Sequence, residues 1–73
     1  MKVRSTFGTP VEREIVWKDD EIHPYTDLDG WRIRDTPHGA FFAPINKQGE
    51  QTGDVKVERT LAAALAGLGW VAV

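Results

Sequence analysis

Residues 31–45 read Trp31-Arg32-Ile33-Arg34-Asp35-Thr36-Pro37-His38-Gly39-Ala40-Phe41-Phe42-Ala43-Pro44-Ile45. The stretch from Trp31 to Thr36 alternates, with Trp31 and Ile33 on one side and Arg32 and Arg34 on the other, which is the period of a half-buried strand. Thr36-Pro37-His38-Gly39 then places proline second and glycine fourth, the pattern of a type I turn closed by a left-handed glycine. Ala40 to Ile45 is the returning strand. Pro44 has no N–H to give to a ladder and belongs near a strand end or at an open edge. A tight hairpin therefore anchors the reading, and the flanking segments are placed around it.

Toward the C-terminus, Asn46-Lys47-Gln48-Gly49 repeats the turn chemistry with glycine again in the left-handed slot. Glu50 to Glu58 is expected to return as a strand, bulged at Gly53, with Val55 and Val57 facing inward. Thr60 is an N-cap candidate for a helix over Leu61 to Leu68, in which Leu61, Leu65 and Leu68 recur at i, i+4 and i+7. Gly69 is a left-handed stop, after which Trp70 folds back as the hydrophobic contact of the cap. Trp70 to Val73 adds a short final strand.

Toward the N-terminus, Asp19 to Gly30 (DDEIHPYTDLDG) is a loop by composition. Pro24 biases His23 away from helix, and Asp27-Leu28-Asp29-Gly30 is turn chemistry. Val11 to Lys18 (VEREIVWK) alternates with β-branched residues and reads as the first strand, with a helix as the competing assignment. Residues 1–10 carry Gly8 and Pro10 with little periodicity and read as a flexible N-terminal arm. The expected fold over residues 11–73 is a single small α+β domain: an antiparallel meander of three or four strands packed against one C-terminal α-helix.

At 73 residues the chain is near the lower limit for folding without staples, and it has no cysteine to form a disulfide or thiolate metal site. Stability must come from a core expected to hold Trp17, Trp31, Ile33, Phe41, Phe42, Ile45 and the C-terminal leucines. The absence of cysteine fits a reducing compartment, and no apolar run approaches a membrane span, so a cytoplasmic location is expected. Net charge is −2, which gives no global basic footprint for nucleic acid. The distribution is more telling. Asp19, Asp20, Glu21, Asp27 and Asp29 fall in one segment without a lysine or arginine, whereas the rest of the chain has nine bases against six acids. An acidic segment sits on a mildly basic body.

Catalytic chemistry finds little support. The only serine is Ser5, and His23 and His38 stand apart from it, so no nucleophile, base and orienting residue come together in the sequence. His23 with the neighbouring aspartates suggests a divalent-cation loop, but Trp31 and Ile33 stand where such a loop needs oxygen donors. No glycine loop joins a strand to a helix as a phosphate cradle requires. No enzymatic activity, metal or small-molecule cofactor is expected.

Two binding roles remain. Arg32 and Arg34 project from one face of the hairpin, and Lys47, Lys56 and Arg59 would join them in a favourable register to form a nucleic-acid face. The order of elements over residues 31–68 is similar to that of the arm-site DNA-binding domains of phage-type integrases, and that resemblance implies a β-sheet DNA-binding module. Against it stand the negative net charge and the reading that Arg32 and Arg34 pair with acids on neighbouring strands. The favoured expectation is a non-enzymatic protein-binding module whose partner contacts the loop residues Asp19, Asp20, Glu21, Ile22, Tyr25, Asp27, Leu28 and Asp29, the N-terminal arm or an edge strand. Small cysteine-free domains of this size class include the accessory inhibitors with which phages and mobile elements modulate host transcription or defence complexes. A role only as part of a homo-oligomer stays open beside these.

Overall fold

The structure, a computed structural model, describes residues 1–20 and 22–73. The elements in chain order are β1 (Lys2–Ser5), β2 (Glu12–Glu14), β3 (Tyr25–Leu28), β4 (Trp31–Thr36), β5 (Gly39–Pro44), β6 (Lys56–Glu58), α1 (Leu61–Gly67) and β7 (Trp70–Ala72). The fold is α+β, as the sequence indicates, but its strands form two antiparallel sheets. One is a four-stranded meander ordered β3-β4-β5-β6, and the other is three-stranded and ordered β2-β1-β7.

The central hairpin forms as read. Strands β4 and β5 pair from Trp31↔Pro44 to Thr36↔Gly39, leaving Pro37 and His38 as the connection. The Thr36 hydroxyl accepts from the His38 N–H at 3.1 Å and donates to the Gly39 carbonyl at 2.8 Å, tying the turn shut. Gly39 has φ 133, and a Cβ built there would lie 2.5 Å from the Glu58 carbonyl oxygen. Only glycine lets β6 come this close to β5.

The segment expected to be a loop contributes a strand. Tyr25 to Leu28 pairs with β4 from Tyr25↔Arg34 to Leu28↔Trp31, joined by Asp29 and Gly30 at φ 44 and 85. Two successive positive φ values mark a type I′ turn, for which Asp-Gly is a preferred sequence. The pairing puts Thr26 and Leu28 on the inner face, 3% and 5% exposed.

A second correction concerns residues 1–10. Lys2–Ser5, expected within a loose arm, is the middle strand of the three-stranded sheet, paired with both β2 and β7. Val3 is fully buried there, and that burial holds the segment against the body. Val11–Lys18 yields only the short strand β2, which belongs to this sheet and not to the meander. Its Ile15 is buried, while Trp17 is half-buried against the core.

The C-terminal reading stands. The Thr60 side chain accepts from the Ala63 N–H at 3.1 Å at the start of α1, and Gly69 takes φ 88 after it. The helix packs against β5, β6 and β7. One apolar cluster joins both sheets and the helix through Val3, Ile15, Leu28, Ile33, Ala40, Phe42, Ala64, Leu65 and Trp70. Burying Ile33 or Leu65, each 1% exposed or less, contributes about 1.5–3 kcal/mol relative to solvent exposure. Trp31 meets Phe42 with ring centroids 5.8 Å apart. Among the described residues no helix is long and apolar enough to cross a membrane.

Candidate functional site

Strand alternation gives the meander an inner face on the core and an outer face open to solvent. The register aligns Tyr25, Arg34, Phe41 and Val57 in one outer row, with Asp27, Arg32 and Ala43 in the next. Phe41, Val55 and Val57 are therefore outward, 38%, 55% and 59% exposed, contrary to the inward placement expected for all three. The reason is local: Phe41 and Phe42 are adjacent, a strand sends neighbours to opposite faces, and Phe42 pairs with Ile33 on the core side. The segment 50–58 is also strand only at Lys56–Glu58, so the anticipated bulged strand with valines inward does not form.

The two arginines on this face are held by acids. Arg32 makes two hydrogen bonds to the Asp27 carboxylate, Nε to Oδ1 at 2.8 Å and Nη2 to Oδ2 at 3.0 Å. The pair is across-strand, since Asp27 lies opposite Arg32 in the β3–β4 register. This fork lowers the pKa of Asp27 below its ordinary value and raises that of Arg32, chiefly through the side-chain hydrogen bond. Arg34 donates through Nη1 to Asp20 Oδ2 at 2.8 Å and to the His23 carbonyl at 3.1 Å. Both guanidinium carbons lie over the Tyr25 ring, 5.0 Å and 5.2 Å from its centroid, within cation–π range. Next to them, Arg32, Arg34, Phe41, Ala43, Gln51 and Val55 line an open groove of about 160 Å³.

The structure disperses the acidic segment that the sequence groups together. Asp20 and Asp27 face Arg34 and Arg32, and Asp29 lies 3.6 Å from Arg13 of the other sheet. Leu28 is in the core, and Tyr25 is half-buried beneath the guanidinium groups. Asp19 is exposed, and so is Ile22 at 77%. Glu21 lies outside the described residues.

The basic set is also divided. Lys56 pairs with Phe42 in the register, so it points to the inner side, where its ammonium lies 5.9 Å from the Trp31 ring centroid. It cannot share a face with Arg32 and Arg34. Lys47 is exposed in the β5–β6 connection, and Arg59 is exposed just before the helix cap.

For catalysis the geometry offers no constellation among the described residues. The Ser5 hydroxyl accepts from the Val11 N–H at 2.9 Å within the chain turn after β1, His38 sits at a hairpin tip, and His23 is in the 19–24 connection. No group of three or more histidine, aspartate or glutamate side chains is placed to hold a metal ion among the described residues. What the surface presents is a mixed patch of arginine, tyrosine, phenylalanine and valine. The residues that sequence reasoning missed, Phe41, Val55 and Val57, were legible only through the hairpin register. No protein-family model, curated protein or solved structure matches the chain.

Proposed function

We propose that the chain is a non-enzymatic binding module whose partner is a protein, engaged by the outer face of the β3-β4-β5-β6 sheet. The observation that carries the reading is the exposure of Phe41 and Val55 in a groove walled by Arg32 and Arg34, with the exposed Val57 beside Phe41 in the register. Arginine and aromatic side chains dominate the energetics of protein interfaces when they are fixed before contact. Asp27, Asp20 and Tyr25 fix these arginines in the free protein. The acidic loop, the first candidate from sequence, supports the reading differently: its Asp20 and Asp27 carboxylates orient Arg34 and Arg32 and so contribute less as free negative surface.

A β-sheet DNA-binding role is less well supported. Phosphate contacts need cations free to exchange counterions, whereas both central arginines are ion-paired and Lys56 is on the opposite face.

The test uses the tagged intact protein and a Phe41→Ser, Val57→Ser double variant in affinity capture from a lysate of the source organism, with a mixed-sequence DNA shift at low salt in parallel. A captured protein that the double variant loses, with no DNA shift, supports the reading. A DNA shift that Arg32→Ala with Arg34→Ala abolishes, with no protein captured, overturns it.

A further inference from the structure

The two sheets have four edge strands, and three are protected. Strand β2 is Glu12-Arg13-Glu14, and β6 carries Lys56 and Glu58. The β3 edge is covered by the preceding chain: Lys18 and Tyr25 exchange main-chain hydrogen bonds at 2.8 and 2.9 Å, and Thr26 Oγ1 donates to the Val16 carbonyl. Charges and covering chain are the usual means of keeping an edge from pairing with another molecule. Strand β7, Trp70-Val71-Ala72, carries no charged side chain, and no described residue bridges to its outer side.

The hydrogen bonds flanking β7 fix which way its main chain points. Thr6 N–H donates to the Gly69 carbonyl at 2.8 Å and Val73 N–H to the Lys2 carbonyl at 3.0 Å. Antiparallel alternation then turns Val71 toward β1, and the N–H and C=O groups of Trp70 and Ala72 toward the open side. Beside β7 lies a groove of about 520 Å³ whose described walls include Met1, Leu61, Ala62, Leu65, Ala66 and Val71. Helix α1 has no polar face, and a helix that is apolar all round is ordinarily covered on every side.

We propose that β7 pairs with β7 of a second copy of this chain, antiparallel across a two-fold axis through Val71, joining two three-stranded sheets into one of six strands. An isologous contact needs a patch complementary to itself. Residues 61–73 (LAAALAGLGWVAV) carry no charged side chain, so two copies meet there without like-charge conflict between side chains. In this register Trp70 faces Ala72 of the second copy and each pair exchanges two main-chain hydrogen bonds, which satisfies every outward group of both strands. The contact lies on the other sheet from the surface proposed above and does not rest on that reading.

The experiment reads position 71 directly. Val71 would face its own copy as a non-hydrogen-bonded pair, with Cα atoms about 4.5 Å apart, within the span a disulfide bridges. The protein has no native cysteine, so a covalent dimer of Val71→Cys joins position 71 to position 71. Air oxidation is expected to convert most of this variant to a species of about twice 8.2 kDa on a non-reducing gel. Val57→Cys, more exposed but on the other sheet, is the control and stays largely monomeric. In sedimentation equilibrium the wild-type protein is expected at the doubled mass, and Val71→Lys at the single mass with an unchanged far-ultraviolet circular dichroism spectrum. A wild-type chain that remains monomeric at millimolar concentration overturns the proposal and leaves the edge to a strand of another protein. Crosslinking of Val71→Cys no faster than Val57→Cys overturns it too.

Discussion

Replacing Gly39 by alanine tests the closeness of β5 and β6. The added Cβ would lie 2.5 Å from the Glu58 carbonyl oxygen and 3.5 Å from Val57 Cγ2, at a φ of 133 that side chains rarely adopt. The backbone conformation alone costs about 1–3 kcal/mol for a residue other than glycine. Relief of the clash requires moving the backbone of β6, which weakens the Ala40↔Glu58 pairing by about 0.5–1.5 kcal/mol. The total is roughly 2–4 kcal/mol, against a stability of about 4–11 kcal/mol for a chain of this size. At about 4–8 °C per kcal/mol for small domains, Tm should fall by roughly 10–30 °C. The assay is thermal unfolding followed by circular dichroism and tryptophan fluorescence, with Gly67→Ala as the opposite case. Gly67 lies at the end of α1 with nothing within 4 Å of a built Cβ, so alanine there should raise stability by about 0.5–1 kcal/mol. A Gly39→Ala protein melting within about 2 °C of wild type would refute the close approach.

Three further outcomes follow from the same geometry. Thr60→Ala removes the acceptor of the Ala63 N–H and should lower stability by about 1 kcal/mol, read from urea midpoints at constant slope. Phe42→Ala should cost roughly 3–5 kcal/mol because the ring is in the core, while Phe41→Ser, one residue away on the outer face, should cost about 1 kcal/mol or less; equal losses would mean the strand faces are misassigned. Asp27 has a folded pKa below its ordinary value, so its ion pair adds stability above the normal carboxylate range and loses it as pH falls through the lower folded value. With both partners about one-third exposed, the contribution is roughly 0.2–1 kcal/mol. Asp27→Asn should remove that part of the acid-induced loss between neutral pH and pH about 3, and an unchanged acid slope in denaturant titrations would count against the pairing.

What could be read from the sequence was what is decided locally. The Thr36–Gly39 turn, the Asn46–Gly49 turn, the Thr60 cap and the Gly69 stop each depend on residues within a few positions, and each forms. Strand β3 was hidden because Asp27 and Asp29 made Tyr25–Leu28 look like a loop, although Asp29-Gly30 is itself a hairpin signal. Strand β1 was hidden because its partners are residues 12–14 and 70–72, which no short window contains. The candidate site was legible in part: Arg32 and Arg34 were placed on one face, but their neutralisation depends on the β3–β4 register and on Asp20, fourteen residues away. Val55 and Val57 were misplaced because an apolar residue in a strand reads as buried until the register fixes its face.

The pairing of β1 with β7 has a bearing on the order in which the molecule comes together. Every connection in the four-stranded meander closes over a short stretch of chain, so that sheet can assemble early. The other sheet needs Val3 to meet Ala72, and closing so long a loop is slow because its entropy must be met before the contact is gained. During synthesis β1 can pair locally with β2, but its second partner is missing until β7 emerges. The same meeting brings Lys2 and Val73 within one hydrogen bond, so these two residues lie side by side. A short bridge between them, with a new opening at the exposed Asp54–Val55 connection, is the natural route to a circularly permuted version whose β1–β7 pairing becomes local and whose folding should be faster.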